Sequence, residues 1–280
     1  MTTRQELRQQ QLIEAKQNLP SHEPRHLALR WWSGLVLALT LLLVLVNSTL
    51  LNPHFVKHEI TNSALESLML NQINSELTQY GISTSALKKS TTDKLVDQAV
   101  DQVYAGKKIQ LDFSPLLNNV NSAVNSQLSQ YGLSTAMFSQ GSSATIANTI
   151  NSNVNAQLNT TEVAQLIDGI QVAKLIVKIL LVIDFLLLLV MLLKSIWRQQ
   201  LLISWSWGCL VGLIIYSLLI LGIKTLAVQF GSFNSDLSPF ISQVAGDFLK
   251  TGIHYSLGLA IVVVLLFLGR LLKSWWQVRR

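Results

Sequence analysis

Apolar residues in this chain gather into four long runs, each bounded by polar or basic stretches. A helix crossing roughly 30 Å of hydrocarbon at 1.5 Å per residue needs about 20 largely apolar residues. Residues 31–51, 172–193, 205–228 and 253–272 each meet that requirement. Lipid gives a backbone no hydrogen-bond partner, so runs of this kind are predicted to be helices.

Between the first two runs the pattern changes. Over residues 52–171 apolar positions recur every three or four residues, which predicts amphipathic helices. The region also repeats itself: residues 74–84 (NSELTQYGIST) align with residues 125–135 (NSQLSQYGLST). Leu65, Met69, Ile73, Leu77 and Tyr80 correspond to Leu116, Val120, Val124, Leu128 and Tyr131, and Leu95 and Val103 to Ile146 and Val154. Gly81 and Gly132 suit helix stops, because glycine enters the left-handed region without steric cost, and Ser83 and Ser134 can cap the next helix. Each unit reads as helix, Tyr-Gly turn, helix. A further helix from about Thr160 is expected to run straight into the second span.

The expected fold is an all-α membrane protein, with four transmembrane helices and an extracytoplasmic helical domain made of a duplicated αα-hairpin. Its segments are a cytoplasmic stretch 1–30, spans 31–51, 172–193, 205–228 and 253–272, the outer domain 52–171, a cytoplasmic loop 194–204, an outer loop 229–252 and a cytoplasmic tail 273–280. The outer loop carries an amphipathic pattern of its own, Leu237, Phe240, Ile241, Val244, Phe248 and Leu249. Asp236-Leu-Ser-Pro in that loop echoes Asp112-Phe-Ser-Pro, although shared cap chemistry explains the likeness equally well. Residues 4–19 form a Gln-rich amphipathic stretch that suits either a helix on the inner membrane surface or a disordered tail.

Charge supplies the orientation. Arg4, Arg8, Lys16, Arg25 and Arg30 precede the first span, Lys194 and Arg198 follow the second, and Arg270, Lys273, Arg279 and Arg280 close the chain. The 52–171 region has more carboxylates than lysines and no arginine. By the positive-inside rule both termini are cytoplasmic. All seven tryptophans fall beside the cytoplasmic ends, at the headgroup level that indole prefers. The first run is long and lacks an Ala-x-Ala-like site after it, so it reads as an uncleaved signal anchor.

Composition agrees with lipid as one solvent: 50% of residues are hydrophobic, 13% are charged, and mean hydropathy is +0.39. The net charge of +6 lies beside the spans rather than along a soluble face, which argues against nucleic acid as a partner. The single cysteine, Cys209, falls in an apolar run, so the outer domain must hold together by packing alone.

Candidate chemistry is sparse. Asp184 sits near the middle of the second span, level with residues 214–216 of the third, where Tyr216 or Ser217 could hydrogen-bond it. A proton or ion path is the sharper alternative, because intramembrane charge is costly and tends to have a use. Lys174, Lys178 and Lys224 lie towards outer span ends, where lysine snorkels to the headgroups. His54, His58 and His254 fall near the outer surface. The first two share a helical face after Asn52-Pro53, and with Glu59 or Asp168 the three could hold zinc. His22 and His26 straddle Pro24 and share no face.

Asp93, Asp97 and Asp101 make a carboxylate stripe that reads as a solvated face, since straight-helix spacing cannot wrap calcium. The amides Asn118, Asn119, Asn121, Asn125, Asn148, Asn151, Asn153, Asn155 and Asn159 read as a solvated face or as a binding surface. Gly208 and Gly212, with Gly252, Ser256 and Ala260, suit close helix packing. The chain contains no Gly-x-Ser-x-Gly elbow and no phosphate-binding Gly-Lys-Ser/Thr loop.

These features point to a non-enzymatic protein of a cell envelope, most simply bacterial. Its role would be accessory, sensory or scaffolding, and its partners the bilayer and another membrane or envelope protein. The rivals are a metal-dependent enzyme on His54, His58 and His254, and a transport subunit using Asp184.

Overall fold

The computed structural model describes residues 25–63, 89–112, 158–197, 201–233 and 237–278, together with positions 67, 71, 152, 155 and 156. Both Tyr-Gly pairs and most of the region expected to form a duplicated hairpin lie outside the described residues. Six helices are described: α1 Arg25–Ser48, α2 Pro53–Thr61, α3 Lys89–Tyr104, α4 Thr161–Trp197, α5 Leu201–Gly231 and α6 Ser238–Val278. Of these, α1, α4, α5 and α6 are long and apolar enough to cross a membrane, and α2 and α3 form a helical segment outside the spans.

Two spans extend well past the lipid. At 37 residues α4 is about 55 Å long, and at 41 residues α6 is about 60 Å, against roughly 30 Å of hydrocarbon. The amphipathic stretch before residue 253 is therefore no separate loop helix. It continues into the fourth span as one α6, with Ser238-Pro239 at its start.

The bundle centres on α5, which packs along both α1 and α6. Lipid tails are as apolar as leucine, so spans associate through close van der Waals packing rather than through a hydrophobic drive. Glycine permits that closeness at the crossing of α1 and α5. A Cβ on Gly34 would lie 2.9 Å from the Gly208 carbonyl oxygen and 2.8 Å from Val211, and one on Gly212 would lie 3.0 Å from the Gly34 carbonyl oxygen. The expected role of Gly208 and Gly212 is thus met, with Gly34 as the partner. Above the crossing, Ala38, Leu45, Tyr216, Ile220 and Phe248 form one buried cluster, and Gly252 lets α6 close on Leu45 and Ile220. A second cluster, Cys209, Leu259 and Val263, lies nearer the tryptophan end.

These contacts bring the starts of α1 and α5 together with the ends of α4 and α6. All seven tryptophans consequently lie at one end of the bundle, and α2 and α3 lie at the other.

Of the four spans, α4 stands apart. It leans on α1, touches α5 only slightly, and leaves most of its large apolar side chains exposed for lipid.

Candidate functional site

The densest polar structure lies where α2 and α3 meet the spans. Asn52 caps α2, its side chain accepting from the His54 N–H at 3.0 Å, and Pro53 occupies the first turn, where its missing N–H costs nothing. That start aims Lys57 at α3, where its Nζ donates to Asp101 at 2.8 Å and lies 3.8 Å from Asp97. Asp97 and Asp101 of the carboxylate stripe are exposed, as expected, and also hold α2 against α3, whereas Asp93 is only partly exposed and its Oδ1 is buried. Two residues on, Glu59 is 2% exposed; its Oε2 accepts from Gln243 of α6 at 3.1 Å, and His58 Nδ1 lies 3.5 Å from Oε1. A buried carboxylate is costly without such partners, so Glu59 fixes α2 on α6.

Tyr104, the last residue of α3, ties three elements together. Its hydroxyl donates to the Leu50 carbonyl just beyond α1 at 2.5 Å. Its own carbonyl accepts from Lys174 Nζ at 2.6 Å and from Gln171 Nε2 at 3.1 Å, both on α4. The Lys174 ammonium also stands 4.5 Å from the centre of the Tyr104 ring. A helix end leaves carbonyls without intrahelical donors and carries partial negative charge, so a lysine and an amide from a neighbour suit it. Partial burial holds the Tyr104 phenol above its ordinary range.

Gly106 completes the joint. Its φ of +72° is a left-handed conformation, and the Gly106 N–H to Val103 and Lys107 N–H to Gln102 bonds close the helix end. A Cβ there would press on Gln171 at 3.2 Å.

Inside the membrane the Thr40 hydroxyl of α1 donates to Asp184 Oδ2 of α4, and Asp184 is 3% exposed. The pairing expected with Tyr216 does not form. Tyr216 donates to the Gly252 carbonyl at 3.3 Å, inside the α5–α6 contact and away from α4. Lys178 is exposed and Lys224 partly so, and among the described residues no ion pair joins either to Asp184.

The three histidines are exposed and do not converge. His254 Nδ1 engages the Lys250 carbonyl of its own helix at 2.7 Å, and His58 lies beside Glu59. Among the described residues no three His, Cys, Asp or Glu side chains come together as a metal site. With Asp168 also exposed, Glu59 serves Gln243 rather than a zinc ligand set.

Sequence reasoning passed over Tyr104, Gln171 and Thr40. A signal existed for two of them. Tyr104-Ala-Gly106 differs by one inserted alanine from the Tyr-Gly pairs that the sequence suggests as helix stops, and Thr40 is a hydroxyl at mid-span depth, matching Asp184. Comparison with known protein families, curated proteins and solved structures finds no match to this chain.

Proposed function

We propose that this chain is a non-enzymatic protein of the cell envelope, with both termini cytoplasmic and the 52–171 region extracytoplasmic. In this reading the outer helices meet another membrane or envelope protein and pass that contact to the spans, which is an accessory, sensory or scaffolding role. The observation that carries it is the Tyr104 joint, where one residue is bonded to the outer end of α1 and to two side chains of α4. Because α4 is one unbroken helix whose main neighbour in the bundle is α1, a displacement of α3 reaches the far end of α4 as a tilt or rotation of the whole rod against α1.

The test is a distance measurement between spin labels at Lys94 on α3 and Trp197 at the end of α4, in lipid nanodiscs. The intact chain should give one narrow distribution, and the Tyr104→Phe, Lys174→Gln double variant a broad one. Equal widths in the two proteins would remove the support for coupling.

A further inference from the structure

Beyond Gly106 the chain turns back along α3 and runs extended, and every backbone polar group of three successive residues is held by an amide side chain. Asn159 takes both groups of Ile109, its Oδ1 accepting from the N–H at 2.9 Å and its Nδ2 donating to the carbonyl at 2.6 Å. Asn155 does the same for Leu111, at 2.8 and 3.1 Å. On the opposite edge Gln102 accepts from the Gln110 N–H at 2.6 Å, and Gln98 and Gln102 both donate to the Gln110 carbonyl at 2.9 Å. The segment is bonded as the central strand of a sheet would be, with side chains of two helical stretches replacing the neighbouring strands.

Such a clamp reads backbone and very little else. Gln110 points to solvent, and of the three side chains only Ile109 is buried. Strand-adding sites work in the same way, with main-chain bonds for affinity and one or two pockets for selectivity. Nor does the end of α3 need the strap, since Gly106, Gln171 and Lys174 already satisfy it. Asparagine is a mediocre helix former, so Asn155 and Asn159 are explained by what they hold rather than by propensity.

We propose that Gln98, Gln102, Asn155 and Asn159 form a binding site for an extended polypeptide segment, occupied in this structure by the chain's own residues 109–111. The partner segment carries an aliphatic side chain for the seat of Ile109 and tolerates a polar residue next to it. The strap is a built-in competitor that the partner displaces. Its few buried contacts and exposed Lys107, Lys108, Gln110 and Asp112 place it among the parts of a fold that open locally. The clamp rests on the proposed envelope role only in taking the partner to be a protein met by the outer helices.

The probe is a fluorescent peptide copying residues 107–112, titrated against the full chain in nanodiscs. Gln110→Pro keeps the strap extended but removes the N–H that Gln102 holds, so it frees the clamp. Ile109→Ser, which empties the buried seat, serves as a second loosening variant. Either variant should bind the peptide about tenfold more tightly than the wild type, the competing strap having been weakened. Adding Asn159→Leu should abolish binding, and so should N-methylation of the peptide at its glutamine. No binding by either folded variant, or equal binding with Asn159→Leu, overturns the proposal. The spin-label experiment is independent of the peptide, so failure of the clamp and failure of the coupling can be told apart.

Discussion

Thr40 on α1 and Asp184 on α4 form a polar contact between two spans, and the carboxyl is almost wholly shielded by protein. The same hydroxyl lies 2.9 Å from the Val36 carbonyl one turn back, so α1 presents it in a fixed rotamer. Around this contact most of α4 faces lipid, so the pair is a polar hold on that helix at membrane level beside its packing on α1.

A double-mutant cycle of Thr40→Val and Asp184→Leu, each of which removes the hydrogen bond, should therefore give a coupling of about 1 kcal/mol, in the usual range for interhelical hydrogen bonds in bilayers. Asp184→Asn alone should be mild, since an amide still meets the hydroxyl. Stability would be followed by unfolding in bicelles. A coupling near zero, with both single variants neutral, contradicts the role given to the pair.

Gly34→Ala should loosen the α1–α5 crossing. Its Cβ meets backbone oxygen and a stiff valine below 3.0 Å, so the helices must part, at a cost of about 1–3 kcal/mol. Gly222→Ala, with nothing within 4 Å, should be neutral or slightly stabilising. Thermal unfolding of the two variants side by side decides it, and equal midpoints would count against the crossing.

The Tyr104 joint has a defined pH window. Burial raises the phenol above its ordinary value of 10.0 in the folded protein. A raised phenol contributes fully below the unfolded value, and the contribution is lost as pH rises through the folded value. The joint should hold from neutral pH to pH 10 and weaken only above that. Difference phenolate absorbance between wild type and Tyr104→Phe isolates this residue, and titration at or below the ordinary value would refute the prediction. At neutral pH Tyr104→Phe should cost about 1 kcal/mol, the net worth of one hydrogen bond.

Exposed histidines without converging ligands should be dispensable. Alanine at His54 and His254 should change stability by no more than about 0.5 kcal/mol each, and the purified protein should bind no stoichiometric zinc. Elemental analysis after dialysis is the check. One zinc per chain, lost when His54, His58 and His254 are all replaced by alanine, would restore the metal reading.

Orientation is open to direct labelling. Lys107→Cys and Lys273→Cys place exposed thiols at opposite ends of the spans, and native Cys209 is buried. An impermeant maleimide added to intact cells should reach the first and miss the second. The opposite pattern inverts the topology.

Several features were legible in the sequence because they rest on local rules. Twenty apolar residues in lipid can satisfy their backbone only as a helix, so the four spans could be read from hydropathy alone. Asn52-Pro53 announced the start of α2 through cap chemistry, and Gly208 and Gly212 announced a close crossing through the absence of Cβ. None of these names a partner. That Gly34 sits against Gly208, that Asp184 meets Thr40 rather than Tyr216, and that Asn155 and Asn159 hold the chain's own Ile109 and Leu111 were settled by packing. The physical reason is that a polar side chain declares only its need for a hydrogen bond, and many positions share its depth or spacing. Which one answers depends on how the helices turn about their axes, and that rotation is fixed by side chains far apart in the sequence.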